Sequence, residues 1–133
     1  MFSRRQFTSL VVALLLCSVK PFAQTDKDSE MKAFADGIYR LWDQGKYAEM
    51  YRHFHSTMKA QATEEQWVTV ARGVAQKTGR NLERRFKEAQ PAFGQRMLRY
   101  ESRYEGGRAN DDIYIIEENG HLTVSGIWVR PVL

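Results

Sequence analysis

Cysteine is nearly absent from this chain of 133 residues, which has only Cys17. A lone cysteine excludes a disulfide scaffold and any zinc or iron–sulfur site built from thiolates. With only 3 histidines, a His-rich metal centre is not expected, and no metal or cofactor is expected at all. The 3 prolines and 9 glycines are too few for a low-complexity spacer. No His-Glu-x-x-His, P-loop, Gly-x-Ser-x-Gly or dinucleotide-binding glycine motif occurs. What remains is ordinary globular composition at a length that supports one core and leaves no room for a second.

Residues 1–23 carry the features of an export signal, and residues 24–133 are expected to form one α+β domain. Arg4 and Arg5 supply the positive start, and Leu10–Leu16 is an unbroken apolar run. That run is too short to span a bilayer, which takes about 20 residues, so the mature form is expected to have no transmembrane span. Ala23 offers a small residue for cleavage before Gln24. Ser3-Arg4-Arg5-Gln6-Phe7 resembles the twin-arginine export motif, although Thr8 and Ser9 replace the Leu and Lys that usually follow. The general and twin-arginine routes both stay open. Leu14-Leu15-Leu16-Cys17 has the outline of a lipoprotein box, but Leu16 stands where a small residue is needed, which argues against lipid anchoring at Cys17. The expected location is therefore periplasmic or secreted. Cleavage would remove Arg4, Arg5 and Lys20, leaving 17 basic against 16 acidic residues, so the net charge falls from +4 to +1. The basic balance belongs largely to the signal, and nucleic acid is not an expected partner.

Three helices and then a sheet are expected. Phe34, Ile38, Leu41 and Trp42 share one helical face between Asp28 and Gly45. A second helix is expected from Tyr47 to Met58, with Tyr47, Met50, Tyr51, Phe54 and Met58 on its stripe. Thr63-Glu64-Glu65-Gln66 has the form of a capping box, opening a third helix with Trp67, Val70, Ala71 and Val74 inward and Thr78-Gly79 at its close. Beyond Gly79 the apolar period becomes two. Leu82, Arg84, Phe86 and Glu88 alternate weakly, and Pro91 and Gly94 break the pattern. Leu98, Tyr100, Ser102 and Tyr104 alternate clearly with Arg99, Glu101 and Arg103, and Gly106-Gly107 turns the chain. Asn119-Gly120 joins the last two strands as a two-residue hairpin.

That hairpin predicts a register. Glu118 faces His121, Ile115 faces Val124 and Ile113 faces Gly126, with Glu117, Leu122 and Trp128 on this same core face. The opposite face then holds Tyr114, Ile116, Thr123, Ser125, Ile127 and Val129. Helices covering one face of a curved antiparallel sheet of about four strands leave a cone-shaped space whose rim could take a small molecule.

Leu41-Trp42-Asp43-Gln44-Gly45-Lys46-Tyr47 resembles the helical corner of nuclear-transport-factor-2-like domains of the cystatin-like superfamily. So do Phe54 and Met58, the capped helix with Trp67, the Tyr100 and Tyr104 strand, and the closing hairpin around Asn119-Gly120. More narrowly the chain is similar to small exported bacterial proteins of unknown function in that superfamily, over residues 30–132. These motifs are structural corners, so the resemblance implies a fold and says little of chemistry. The segment between the third helix and Met97 is short, which implies a shallow cone. Sheet faces often seal homodimers in this superfamily, which implies Tyr114, Ile116, Ile127 and Val129 as a dimer face.

Candidate chemistry is sparse. His53 and His55, two apart on an expected helix, would lie about 200° apart around its axis and could not chelate one ion. His121 is far off at a turn. Among the acids, Asp36 lies off the apolar stripe, Asp43 sits at a helix corner, and Glu117 is placed by the register beside Ile115 and Leu122. Between Arg72 and Arg103 nine basic residues accompany three acids, and Arg84, Arg99 and Arg103 on one strand face could meet an anion; cross-strand ion pairs are the plainer account. No catalytic residue stands out. The expectation is a non-catalytic exported domain that binds a small apolar, acyl or anionic ligand in its cone or a protein partner through its sheet, as a homodimer in the second case. Its cone lining would be Trp42, Tyr51, Phe54, Trp67, Tyr100, Tyr104, Glu117 and Trp128. The alternative is a cone-site enzyme performing proton transfer, of isomerase or dehydratase type.

Overall fold

The structure, a computed structural model, describes residues 27–133. The expected signal, its cleavage site and Cys17 lie outside the described residues. Lys32–Leu133 forms one compact unit, and every contact considered below is within it. Its fold is α+β, with four helices and an open four-stranded antiparallel sheet.

Helix α1 covers residues 27–43, α2 Tyr47–Arg52, α3 Ser56–Gln61 and α4 Glu64–Thr78. The strands are β1 Asn81–Ala92, β2 Gln95–Tyr104, β3 Gly107–Glu118 and β4 His121–Pro131, in the order β1-β2-β3-β4. Helix α1 ends because Gly45 adopts φ +71°, letting Lys46 N–H reach the Leu41 carbonyl at 2.9 Å and Gly45 N–H the Trp42 carbonyl at 3.0 Å. Its buried stripe is Ala35, Ile38, Tyr39 and Trp42, which brings in Tyr39 and leaves Phe34 and Leu41 half-buried. Helix α4 starts at the expected capping box: Gln66 N–H donates to Thr63 Oγ1 and Thr63 N–H to Gln66 Oε1.

The expected second helix is two. Between α2 and α3 the backbone straightens, and Phe54 bridges to Val124 of β4 in parallel. His55 N–H donates to the Val124 carbonyl at 2.8 Å and Val124 N–H to the His53 carbonyl at 2.9 Å. The break drives Phe54 into the core, edge-on to Trp67 at 4.8 Å between centroids. It also covers part of an open sheet edge. His53 is thus in the turn that ends α2 and His55 in extended chain, and the spacing argument made for a helix does not apply. His55 Nδ1 instead accepts from Thr57 N–H and caps α3.

The final hairpin forms at Asn119-Gly120, both at positive φ, as a two-residue turn of this hand requires. Glu118 faces His121 and Ile115 faces Val124 as expected, but Tyr114 rather than Ile113 faces Gly126. One extra residue, Ser125, bulges from β4 and exchanges the faces beyond it. Ile127 then pairs with Ile113 and Val129 with Asp111, toward the helices, while Trp128 pairs with Asp112 on the outer face. Tyr114, Ile116, Ile127 and Val129 therefore do not share a face. A similar irregularity between Phe86 and Glu88 in β1 puts Glu88 opposite Arg99, so Arg84 and Phe86 point inward and Glu88 does not.

The core between helices and sheet consists of Ile38, Met50, Phe54, Leu98, Ile113, Ile115 and Val124, all at most 3% exposed. Among the described residues no helix is long and apolar enough to cross a membrane.

Candidate functional site: an aromatic cavity over a buried carboxylate

Helices α1 and α4 and strands β2 and β4 surround a cavity of about 260 Å³. Trp42 and Tyr39 come from α1, Trp67, Val70, Ala71 and Val74 from α4, Tyr104 from β2, and Ile127, Trp128 and Val129 from β4. Each arrives for a local reason. Trp67 follows the capping box by one position, so the first turn of α4 aims it, and its Nε1–H donates to the Tyr47 carbonyl at 2.9 Å. Trp42 lies one helical turn beyond Ile38 and packs on Tyr47 at 5.1 Å. Ile127 and Val129 face inward only because of the bulge at Ser125. Trp128 and Val70, more than half exposed, stand at the rim.

Behind the Tyr39 and Tyr104 wall lies a polar cluster. Asp111 is fully buried, and its Oδ2 takes three donors: Ser102 Oγ at 2.6 Å, Tyr104 OH at 2.6 Å and Arg84 Nε at 3.1 Å. The rest of the Arg84 guanidinium holds Asp43 with two hydrogen bonds of 2.8 and 3.1 Å, and donates to Tyr104 OH at 3.2 Å. It lies 4.4 Å from the centroid of the Tyr39 ring, a cation–π contact. Two buried polar atoms here have no hydrogen-bond partner among the described residues: Asp111 Oδ1 and the Tyr39 hydroxyl. Asp43 and Asp111 thus share the one guanidinium.

The surroundings set the proton affinities. Burial, then the Asp111 charge, push the Tyr39 hydroxyl well above its ordinary pKa. Tyr104 is raised by the same two causes in the same order. Tyr100 is raised by burial and by its 2.8 Å hydrogen bond to Asp36 Oδ1. Burial alone would lower Arg84, but its bonds to Asp43 and the nearby Tyr104 outweigh this and hold it protonated. The three tyrosines are thus neutral and Arg84 a fixed cation at any ordinary pH.

Of the residues expected to line the cone, the structure brings Trp42, Trp67, Tyr104 and Trp128 to the cavity. The others are placed elsewhere. Tyr51 OH donates to the Ala62 carbonyl at 2.7 Å, Phe54 fills the core, and Tyr100 turns to Asp36. Glu117 keeps its expected pairing with Leu122 but is exposed beside the hairpin turn, so it does not line the cavity. Arg84, Arg99 and Arg103 do not make one anion-binding face: Arg84 is inward, whereas Arg99 grips the buried Asp112 at 2.8 and 2.9 Å on the outer face and Arg103 lies 3.8 Å from Glu83. The cross-strand ion pairs are present, Arg85 and Lys87 sharing Glu101.

Asp111 was legible only as part of an acidic stretch. Beginning β3 at Gly107 rather than Ile113 would have put Asp111 in phase with Ile113 and Ile115, and that alternation is the signal that could have found it. Among the described residues, no three His, Cys, Asp or Glu side chains converge on a metal position.

A comparison with curated proteins finds no match. A family whose description is "Protein of unknown function (DUF4019)" matches residues 34–126, a stretch that holds most of the cavity wall and the whole Asp111 cluster, and the chain belongs to that family.

Proposed function

We propose that this is an exported, non-catalytic domain of the nuclear-transport-factor-2-like kind that holds a small, mainly apolar molecule in the cavity between α1, α4 and the sheet. The observation that carries the reading is the cavity itself: about 260 Å³ lined by Trp42, Trp67 and five aliphatic residues, with Trp128 at the rim. An engineered apolar cavity of about 150 Å³ already holds benzene, so a substituted ring or a short acyl chain fits here. Burying such a molecule gains roughly 25 cal/mol per Å² before association costs. Open access past Trp128 and Val70 supplies the entrance. The export reading rests on residues 1–23 of the sequence, and the superfamily reading on the helical corner and closing hairpin.

The test is titration with ethylbenzene, followed by the fluorescence of the wall tryptophans and by calorimetry. Saturable binding with a Kd below about 1 mM is expected, together with its loss in Val74→Phe, which fills the cavity from α4. Absence of binding to the wild type, or equal binding to Val74→Phe, overturns the proposal.

A further inference from the structure

Two of the hairpins close with the same kind of two-residue turn, and only one of them uses a residue suited to it. Ala92 faces Gln95 across the first turn, and Glu118 faces His121 across the second. Phe93 and Gly94 take φ of +54° and +75°, and Asn119 and Gly120 take +55° and +79°. Asn, Asp and Gly adopt this conformation readily, whereas a bulky phenylalanine there is strained. The Phe93 ring also finds no shelter in its own chain, being 97% exposed. An aromatic side chain that is unfavourable both in its turn and in water points to a contact outside the chain.

The chain also holds a place for such a ring. The cavity of about 260 Å³ is roomier than a benzene ring needs, and its rim residues Val70 and Trp128 are themselves more than half exposed. Phe93 cannot enter the cavity of its own chain. It precedes β2 while the lining residue Tyr104 ends that strand, about 33 Å away along ten residues. Strand β3 also separates its hairpin from β4 and the rim. Charge favours a second copy as the host. The sheet end that bears Phe93 carries Glu117 and Glu118 against one arginine, Arg96. Beside the rim, Arg130 lies 5.7 Å from the Trp128 ring centroid, and Lys77 is exposed one helical turn past Val74. The same glutamates oppose an anionic membrane surface. We infer that a second copy of this chain contributes a residue to the cavity: the Phe93 ring of one copy enters past Val70 and Trp128 of the other. A two-fold pairing lets both rings do so at once. Resting on the cavity reading above, this makes Phe93 the resident ring that a small apolar molecule displaces, so pairing and ligand binding oppose each other.

Analytical ultracentrifugation of the full chain at about 10 and about 200 μM reads the pairing. The wild type is expected to pass from monomer to dimer over this range, and to return to monomer as ethylbenzene is added. Phe93→Asn supplies the residue that Asn119 already provides in the matching turn, so by circular dichroism it should fold at least as well as the wild type. It should weaken pairing by about a hundredfold or more, since each buried ring is worth about tenfold or more and a dimer loses two. Val74→Phe fills the cavity and leaves the turn alone, and should weaken pairing as strongly. A wild type that stays monomeric at the higher concentration overturns the inference, and Phe93-dependent binding of that monomer to phosphatidylglycerol vesicles would assign the ring to a membrane instead. Pairing that survives either substitution overturns it too. The cavity reading is judged separately on Phe93→Asn, whose cavity no partner ring enters. Ethylbenzene bound there, without pairing in the wild type, overturns this inference alone. No binding there overturns the cavity reading, and this inference with it.

Discussion

Replacing Arg84 by methionine should cost far more stability than a strand arginine normally does. The side chain is only 9% exposed, and it ties three elements together through Asp43 at the end of α1, Asp111 on β3 and Tyr104 on β2. The two aspartates contribute unequally. Asp43 is 39% exposed, so water can replace the guanidinium there and its share is small. Asp111 is 0% exposed, so it would be left as a buried charge with only the Ser102 and Tyr104 hydroxyls for company. Stranding one partner of a buried ion pair costs about 3–5 kcal/mol. Asp111→Asn alone should cost about 1–3 kcal/mol, because Arg84 keeps Asp43 while one donor loses its acceptor. In the Asp111→Asn background, Arg84→Met no longer strands a charge, and only stem packing and the Asp43 pair are lost, about 1–2 kcal/mol. The double variant should therefore fall short of the sum of the single ones by about 2–3 kcal/mol. Urea unfolding followed by circular dichroism and by tryptophan fluorescence measures all four corners of the cycle. A coupling below about 0.5 kcal/mol would refute the claim that Arg84 chiefly compensates Asp111.

Two further outcomes follow from the same structure. Gly106→Ala should lose about 1–3 kcal/mol, because a Cβ there meets the backbone carbonyls of Lys77 and Thr78 at 2.9 Å, and the turn between β2 and β3 must leave the end of α4; a denaturation midpoint equal to the wild type would contradict that contact. Tyr39, Tyr100 and Tyr104 have folded pKa values raised by burial, so they favour the neutral form that the fold protects. Their contribution is complete below the unfolded value of about 10 and is lost as pH rises beyond it. An alkaline titration watched by tyrosinate absorbance should show three of the 6 tyrosines ionising only as the protein unfolds, and a single smooth titration of all six in the folded state would rule this out.

Local chemistry was legible in the sequence wherever a few adjacent residues decide the backbone. The Gly45 corner, the Thr63–Gln66 capping box and the Asn119-Gly120 turn all stand where they were expected, because each depends on a preferred dihedral or a side chain that bonds its own helix end. The residues placed around the cavity divide along the same line. Trp42 and Trp67 follow from helical phase beside such signals, and Tyr104 from an unbroken alternation. Trp128 reached the rim on the opposite face from the one expected, and Glu117 ended exposed.

What tertiary structure decided is everything that needed a partner from elsewhere in the chain. A helix at 47–58 satisfies local propensity, yet the segment breaks because Phe54 is worth more against Trp67 and because the Val124 edge offers hydrogen bonds to His53 and His55. Alternation continues through Ser125 in the sequence, but one bulged residue there turned Ile127 and Val129 inward and so supplied a wall of the cavity. Asp111 reads as surface charge until Ser102, Tyr104 and Arg84, which precede it in the chain by up to 27 positions, close over one of its oxygens. Sequence alone determined the elements and their ends, since those are short-range matters of dihedral preference and capping. The face each strand presents and the burial of a charge depend on long-range register and on donors brought from other strands, which only the folded chain provides.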